Sequence, residues 1–232
     1  KNGITPDYVC GLSLGEYSAL SAAGVFDPET AIQVVRERGL AMEKAAEGVE
    51  SAMMAILGLE REPLLDICVG CDGYVSIANY NCPGQLVIAG EKKAVEEAGQ
   101  KALDHGARRA VPLNTSGPFH TLLLKDASTR LHEVFKDVTF HEMNVPVIFN
   151  CTGKELEDCS VQEMLEKQVM SPVYFEDSIR TMLNSGVDTI IEIGPGKVLS
   201  GFVRKIDRKI KTYQVEDMAS LQKCVEAFNE TK

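Results

Sequence analysis

Asp7-Tyr8-Val9-Cys10-Gly11-Leu12-Ser13-Leu14-Gly15-Glu16 carries the pattern Gly-x-Ser-x-Gly, with Ser13 at its centre. Tyr8, Val9 and Cys10 read as the end of a buried strand. Glu16 to Ala23, rich in Ala, Leu and Ser, reads as a helix. Strand, Gly-x-Ser-x-Gly and helix in that order make a nucleophile elbow. The two glycines leave room for a sharp turn that pushes the Ser13 hydroxyl into the open. The hydroxyl then stands at a helix N-terminus, where backbone N–H groups, Leu14 first, point at any oxyanion that forms. The competing reading is a tight turn that happens to carry a serine; the strand and helix on either side bring the elbow level with it.

The bulk properties bound the possibilities. The chain has 232 residues, 44% hydrophobic and 25% charged, the profile of a globular protein with a full core in one or two domains. A formal net charge of −10 argues against a general nucleic-acid binder. No apolar run approaches the ~20 residues a membrane-spanning helix needs, and no cleavable leader is visible. Seven cysteines, an odd number set in apolar surroundings, fit reduced thiols in a cytoplasmic protein better than a disulfide framework. Cys68 and Cys71 form a lone CxxC with no second ligand pair, so they read as ordinary thiols near a turn, and no metal site is expected. The chain opens almost directly on the elbow strand, which suggests a preceding segment elsewhere.

After the elbow helix, Asp27-Pro28 opens a second helix, with Asp as N-cap and Pro at the first position, running to about Ala46. Ala31, Val34, Val35, Ala41, Met42 and Ala45 share one face, and Arg38 falls in the middle of it. An inward guanidinium needs an anion or a cluster of acceptors. On the helix alone the simpler reading is a structural ion pair or a snorkelling head; the other is a fork for a substrate carboxylate. From 50 to 113 the order strand, helix, strand, strand, helix, strand is that of a ferredoxin-like split unit inserted into the larger fold. Asn81-Cys82-Pro83-Gly84 marks the turn between its middle strands. His120, in the loop after this unit, is the best candidate base among four histidines. Val145 to Asn150 reads as a buried strand and Val161 to Val169 as a short helix. Gln168 lies in the last turn of that helix, where main-chain carbonyls lack intrahelical partners. Thr189 to Ile193 is an apolar strand entering a glycine turn. Arg204, Lys205, Arg208, Lys209 and Lys211 form a basic cluster, read as a solvated face rather than a phosphate or acidic-partner site.

Five blocks in order, GLSLGEYSAL at 11–20, RERG at 36–39, NCPGQLVIAG at 81–90, GPFH at 117–120 and EIGPGK at 192–197, resemble the malonyl-CoA:acyl carrier protein transacylases over essentially the whole chain. The resemblance implies an α/β fold. A hydrolase-like parallel sheet flanked by helices would span 1–49 and 114–232, with the ferredoxin-like subdomain at 50–113. It implies Ser13 as nucleophile, His120 as general base and then acid, and Arg38 as the clamp on a malonyl carboxylate. It also implies that the main-chain carbonyl of Gln168 orients the histidine, that the Leu14 N–H is an oxyanion donor, and that Phe119 marks a malonyl-selective pocket. The substrates would be malonyl-CoA and phosphopantetheinylated acyl carrier protein, with no cofactor, metal, nucleic acid or membrane involved. Two departures stand out. Leu12 replaces the family's usual His, and the family's N-terminal GQGxQ segment, source of a core strand and a second oxyanion N–H, has no counterpart here. Losing one such donor costs ~10²–10³ in rate. Two rivals make other predictions. A serine esterase or thioesterase would place its histidine near the C-terminus and would have no use for Arg38. An inactive truncated domain that only binds the carrier protein would form no adduct on Ser13.

Overall fold

In the computed structural model, which describes residues 3–230, the chain alternates helices and strands in an α/β fold. The elbow strand β1 (Val9–Cys10) leads into helix α1 (Leu14–Ala22). Helix α2 (Pro28–Ala46) starts where the sequence places it, because Asp27 accepts from the Glu29 and Thr30 N–H groups at 3.0 Å and Pro28 follows as first helical residue. Its inner face carries Val34, Arg38, Ala41, Met42 and Ala46. The apolar ones among them pack with Tyr17, Leu20, Leu131 and Phe135 in one large apolar cluster. Leu131 and Phe135 come from helix α5 (Lys125–Phe135), which lies against α2.

Between them stands the most regular part of the molecule. Strands β2 (Ser51–Leu57), β3 (Val75–Cys82), β4 (Gln85–Glu91) and β5 (Arg109–Leu113) form a sheet in the order β3-β4-β2-β5, every neighbour antiparallel. Helices α3 (Arg61–Val69) and α4 (Lys92–Asp104) cover one face with Leu64, Ile67, Val95 and Ala98, against Ile56, Ile77 and Ile88 of the sheet. The turn between β3 and β4 is tighter than the sequence suggested. Cys82 pairs with Gln85, so β3 runs on through Asn81, at a shift in register, to Cys82, and only Pro83 and Gly84 turn. Gly84 has φ 66°, a conformation other residues avoid.

The opposite face of this sheet meets the rest of the fold. Met53, Ala78, Val87 and Ala89 form a small cluster against which Phe119 packs. Tyr80 N–H donates to the Val173 carbonyl and Val173 N–H to the Ala78 carbonyl, both at 2.8 Å. The rings of Tyr80 and Tyr174 stack with centroids 4.8 Å apart.

The parallel pairing of the larger part is more broken than a single sheet. The strand read at 145–150 narrows to β6 (Val147–Ile148), paired in parallel with β1. Its end curls instead, as Gly153 N–H reaches back to the Phe149 carbonyl. Helices α6 (Val161–Gln168) and α7 (Phe175–Asn184) follow. A second parallel pair joins β7 (Thr189–Ile193) to β8 (Lys211–Val215) across helix α8 (Val198–Ile206), and α9 (Met218–Glu230) comes last. Although apolar in sequence, β7 is only half-buried, and Ile193 at its end is 81% exposed. The EIGPGK block has a structural job there. The Glu192 carboxylate accepts from the N–H groups of Leu199 and Ser200 at 3.0 and 2.8 Å, satisfying free donors at the start of α8.

Candidate active site

Ser13 sits between β1 and α1 at φ 54° and ψ −105°, a strained conformation for a residue with a side chain. The strain is tolerable because the backbone closes tightly beneath it. A Cβ on Gly11 would lie 2.0 Å from the Gly15 carbonyl carbon, so position 11 must be glycine, whereas a Cβ on Gly15 would meet nothing within 4 Å. Only the first glycine of the motif is therefore demanded by close approach. As first residue of α1, Leu14 has no intrahelical acceptor for its N–H, and its side chain is half exposed.

His120 reaches this serine across 107 residues of sequence. Its Nε2 lies 2.7 Å from Ser13 Oγ. The residue has φ 63° and is buried, and the end of α6 pins it: its N–H donates to the Val169 carbonyl at 3.1 Å, and its Nδ1 lies 2.9 Å from the Gln168 carbonyl. A carbonyl can only accept, so Nδ1 carries the hydrogen and Nε2 presents its lone pair to the serine hydroxyl. Burial pushes the imidazole pKa down to about 4. The nearby Arg38 charge acts in the same direction and the Gln168 carbonyl against it. The ring is thus neutral near pH 7, able to take a proton.

Arg38 is 6% exposed. Its Nη2 donates to Ser13 Oγ at 2.9 Å and to Gln168 Oε1 at 3.1 Å, its Nε to Gln168 Oε1 at 3.3 Å, and its guanidinium carbon lies 5.4 Å from the centre of the Tyr17 ring. No carboxylate oxygen lies within 4.0 Å of it among the described residues. The structural ion pair that the helix alone favoured is not formed; its hydrogen-bond partners are neutral. Burial lowers the guanidinium pKa, opposed by Tyr17 and Glu16, but an arginine stays charged. A cleft of about 440 Å³ opens beside Ser13 and Arg38, walled by Gly39, Met42, Glu43, Ser116 and Phe119. A cleft of about 550 Å³ between α2 and α5 is lined by Asp27, Glu37, Glu133 and Asp137 and contains no serine or cysteine.

Sequence reasoning missed two residues. Asn150 clasps both arms of the elbow: its Oδ1 accepts from Ser13 N–H and its Nδ2 donates to the Gly11 carbonyl, each at 2.6 Å. Its own N–H donates to Glu16 Oε2 at 2.5 Å. Glu16, wholly buried, has its pKa raised to about 8 by burial, against the pull of the Asn150 N–H, the Gln168 side chain and the Arg38 charge. A glutamate among Ala, Leu and Ser in the elbow helix was visible in the sequence. Asn150, at the end of an apolar run, gave no comparable signal. The side chain of Gln168 was missed too, since only its main-chain carbonyl was expected to matter.

The remaining sequence features are structurally ordinary. All seven cysteines are free thiols. The Cys71 thiol donates to the Ile67 carbonyl at 3.2 Å, and burial pushes Cys68 up to about 12. In the basic cluster, Arg204 bonds Thr212 and Lys205 bonds Gln85 on exposed surface.

A strained serine on an elbow, a neutral histidine aimed at it and a buried cation beside both belong to the class of nucleophilic acyl-transfer sites. The comparisons agree with that class: residues 1–231 match the family model described as "Acyl transferase domain". The chain is 45% identical, over 99% of its length and 74% of the relative's, to the malonyl CoA-acyl carrier protein transacylase of Bacillus subtilis (strain 168). The crystal structure of malonyl CoA-acyl carrier protein transacylase from Clostridium perfringens superposes with a TM-score of 0.94 at 41% identity, covering 99% of this chain and 73% of that one. A malonyl-transacylase solved in complex with its type II PKS acyl-carrier protein gives 0.93 at 38%, covering 97% and 74%. The chain belongs to the malonyl CoA-acyl carrier protein transacylase family of acyl transferases.

Proposed function

We propose that this protein moves a malonyl group from malonyl-CoA to the pantetheine thiol of acyl carrier protein, through a malonyl ester on Ser13, to supply fatty acid or polyketide synthesis. The names of its relatives support the donor and acceptor. The observation that carries the reading is Arg38: a buried cation with no carboxylate partner among the described residues, 2.9 Å from Ser13 Oγ. Such a charge suits an acyl group that ends in a carboxylate.

In this mechanism Ser13 Oγ attacks the thioester carbonyl while its proton passes to His120 Nε2. The Gln168 carbonyl keeps the other ring nitrogen protonated and steadies the imidazolium. The Leu14 N–H faces the oxyanion, the more so because Asn150 occupies the N–H of Ser13 itself. CoA leaves with the proton from His120. The carrier-protein thiol then enters the same cleft, loses its proton to His120 and attacks the malonyl-Ser13 ester, and the proton returns to Ser13 as the ester breaks. Phe119, which lines the same cleft as Arg38, limits the acyl group to one as small as malonyl. The reading calls on no cofactor or metal beyond the two substrates.

The finer architecture belongs to the same proposal. The antiparallel order β3-β4-β2-β5 with both helices on one face supports a ferredoxin-like subdomain over 50–113. The parallel pairs β1–β6 and β7–β8 support a hydrolase-like α/β part over 1–49 and 114–232. Among the described residues no helix is long and apolar enough to cross a membrane, and we place the protein in the cytoplasm with its carrier.

Intact-protein mass after brief exposure to malonyl-CoA or acetyl-CoA tests the reading. The expected result is a malonyl adduct that disappears in Ser13→Ala and loses its preference over acetyl in Arg38→Ala. Equal labelling of the wild-type protein by both donors would contradict it.

A further inference from the structure

Gln168 contributes more than the backbone carbonyl that faces His120. Its side-chain amide lies on the other side of the site, fully buried, and bonds two groups at once. Oε1 accepts from Nε and Nη2 of Arg38 at 3.3 and 3.1 Å, while Nε2 donates to the Ser13 carbonyl at 2.9 Å. The amide therefore ties the guanidinium to the elbow backbone and fixes its distance from Ser13 Oγ.

The chemistry of this acceptor matters as much as its position. A carboxylate at the same place would hold Arg38 equally well and would neutralise it. A neutral amide fixes the geometry and leaves the charge in place. Glu16 and Glu43 are the acids near the site, and among the described residues neither places a carboxylate oxygen within 4.0 Å of the guanidinium. Resting on the acyl-transfer reading above, we infer that the Gln168 side chain is a positioning residue for acyl-group selectivity, which orients Arg38 beside the nucleophile while keeping its charge for the free carboxylate of the donor.

The backbone and side-chain roles of Gln168 can be separated, because substitution leaves the carbonyl in place. Gln168→Glu supplies an anion to Arg38, and Gln168→Met removes the acceptor at similar size. Each full-length variant is first checked for folding by circular dichroism and thermal melting, then acylated with malonyl-CoA and acetyl-CoA. The malonyl-to-acetyl ratio of kcat/KM is expected to fall roughly 10–100-fold in Gln168→Glu and about tenfold in Gln168→Met, the scale of lost charge-assisted hydrogen bonds. In Gln168→Met, which leaves both the Arg38 charge and the carbonyl in place, the pH at which acylation fails is expected to stay where it is. If Gln168→Glu does not fold, Gln168→Met decides. A wild-type ratio in the folded variants, or a moved pH profile with selectivity retained, would overturn the inference while leaving the acyl-transfer reading standing. A wild-type protein that takes no malonyl group would overturn the reading and the inference together.

Discussion

The sheet at 51–113 and the elbow around Ser13 are built on opposite principles. In the sheet, neighbouring strands pair antiparallel, in an unbroken seven-residue ladder of β2 on β4 and with two register shifts between β3 and β4, and two amphipathic helices cover one face with small and branched apolar residues. Local propensity, hydrophobic pattern and turn chemistry all agree there. The elbow breaks those rules. Ser13 and His120 both have positive φ, and among the described residues the buried Glu16 has no hydrogen-bond partner at Oε1 and the buried Arg38 has no carboxylate oxygen within 4.0 Å. Its polar contacts join residues far apart in sequence: 107 positions for Ser13–His120, 137 for Ser13–Asn150 and 155 for Gln168–Ser13. One region illustrates how this chain acquires stability, and the other what that stability is used to hold in place.

The contrast can be broken from either side. His120→Ala removes the proposed base and is expected to slow acylation of Ser13 about 10²–10⁴-fold, with little change in thermal stability. Because burial holds this histidine near pH 4, wild-type acylation should remain undiminished by acid well below the imidazole's ordinary 6.5; a fall centred at 6.5 in rapid-quench mass measurements would contradict the neutral, buried base. Ile88→Ala, a wholly buried position in β4, should give the converse result. It should cost about 2–5 kcal/mol in urea unfolding and leave the acylation rate of the folded molecules unchanged. Asn150→Ala lies between the two. It strands the Ser13 N–H and the Gly11 carbonyl, so a loss of about 1–3 kcal/mol should come together with slower acylation; stability loss alone would show that the clasp is not needed to hold the nucleophile.

The smallest expected effect concerns pH. Glu16 has its folded pKa raised from 4.5 to about 8, so its contribution is fully present below pH 4.5 and is lost as pH rises through 8. His120 has its pKa lowered, so its contribution is present above 6.5 and lost as pH falls towards 4. The two oppose each other between 4.5 and 6.5, and only the Glu16 effect remains between 6.5 and 8. Over that upper interval the melting temperature of the wild-type protein should decline relative to Glu16→Gln. Parallel curves would mean that Glu16 is already ionised in the folded protein.

Much of this was legible in the sequence, and the reasons differ by region. The bounds of α2 followed from Asp27-Pro28 and a helical apolar stripe, and the elements of the 51–113 unit from pattern and turn residues, because these signals act within a few residues of one another. Ser13, Arg38 and His120 could each be singled out by local oddity: a strand-turn-helix serine, a cation on an apolar face, a histidine in a Gly-Pro loop. The resemblance joined them, and the structure links all three, with Gln168, in one hydrogen-bonded group. Asn150 was not legible, since an asparagine closing an apolar run looks like any strand end, and its role exists only once the chain folds back 137 positions. The shortness of β6 and the exposure of Ile193 were likewise invisible. Apolar composition signals burial in general but does not say what covers each strand.

The most direct test of the account is a chase. Malonyl-labelled protein is freed of donor and mixed with phosphopantetheinylated acyl carrier protein, and both proteins are weighed by intact mass spectrometry over time. The account predicts that the malonyl mass leaves Ser13 and appears on the carrier thiol, and that His120→Ala slows the transfer. Release of free malonate at the same rate with or without the carrier would contradict it, and would make the protein a hydrolase.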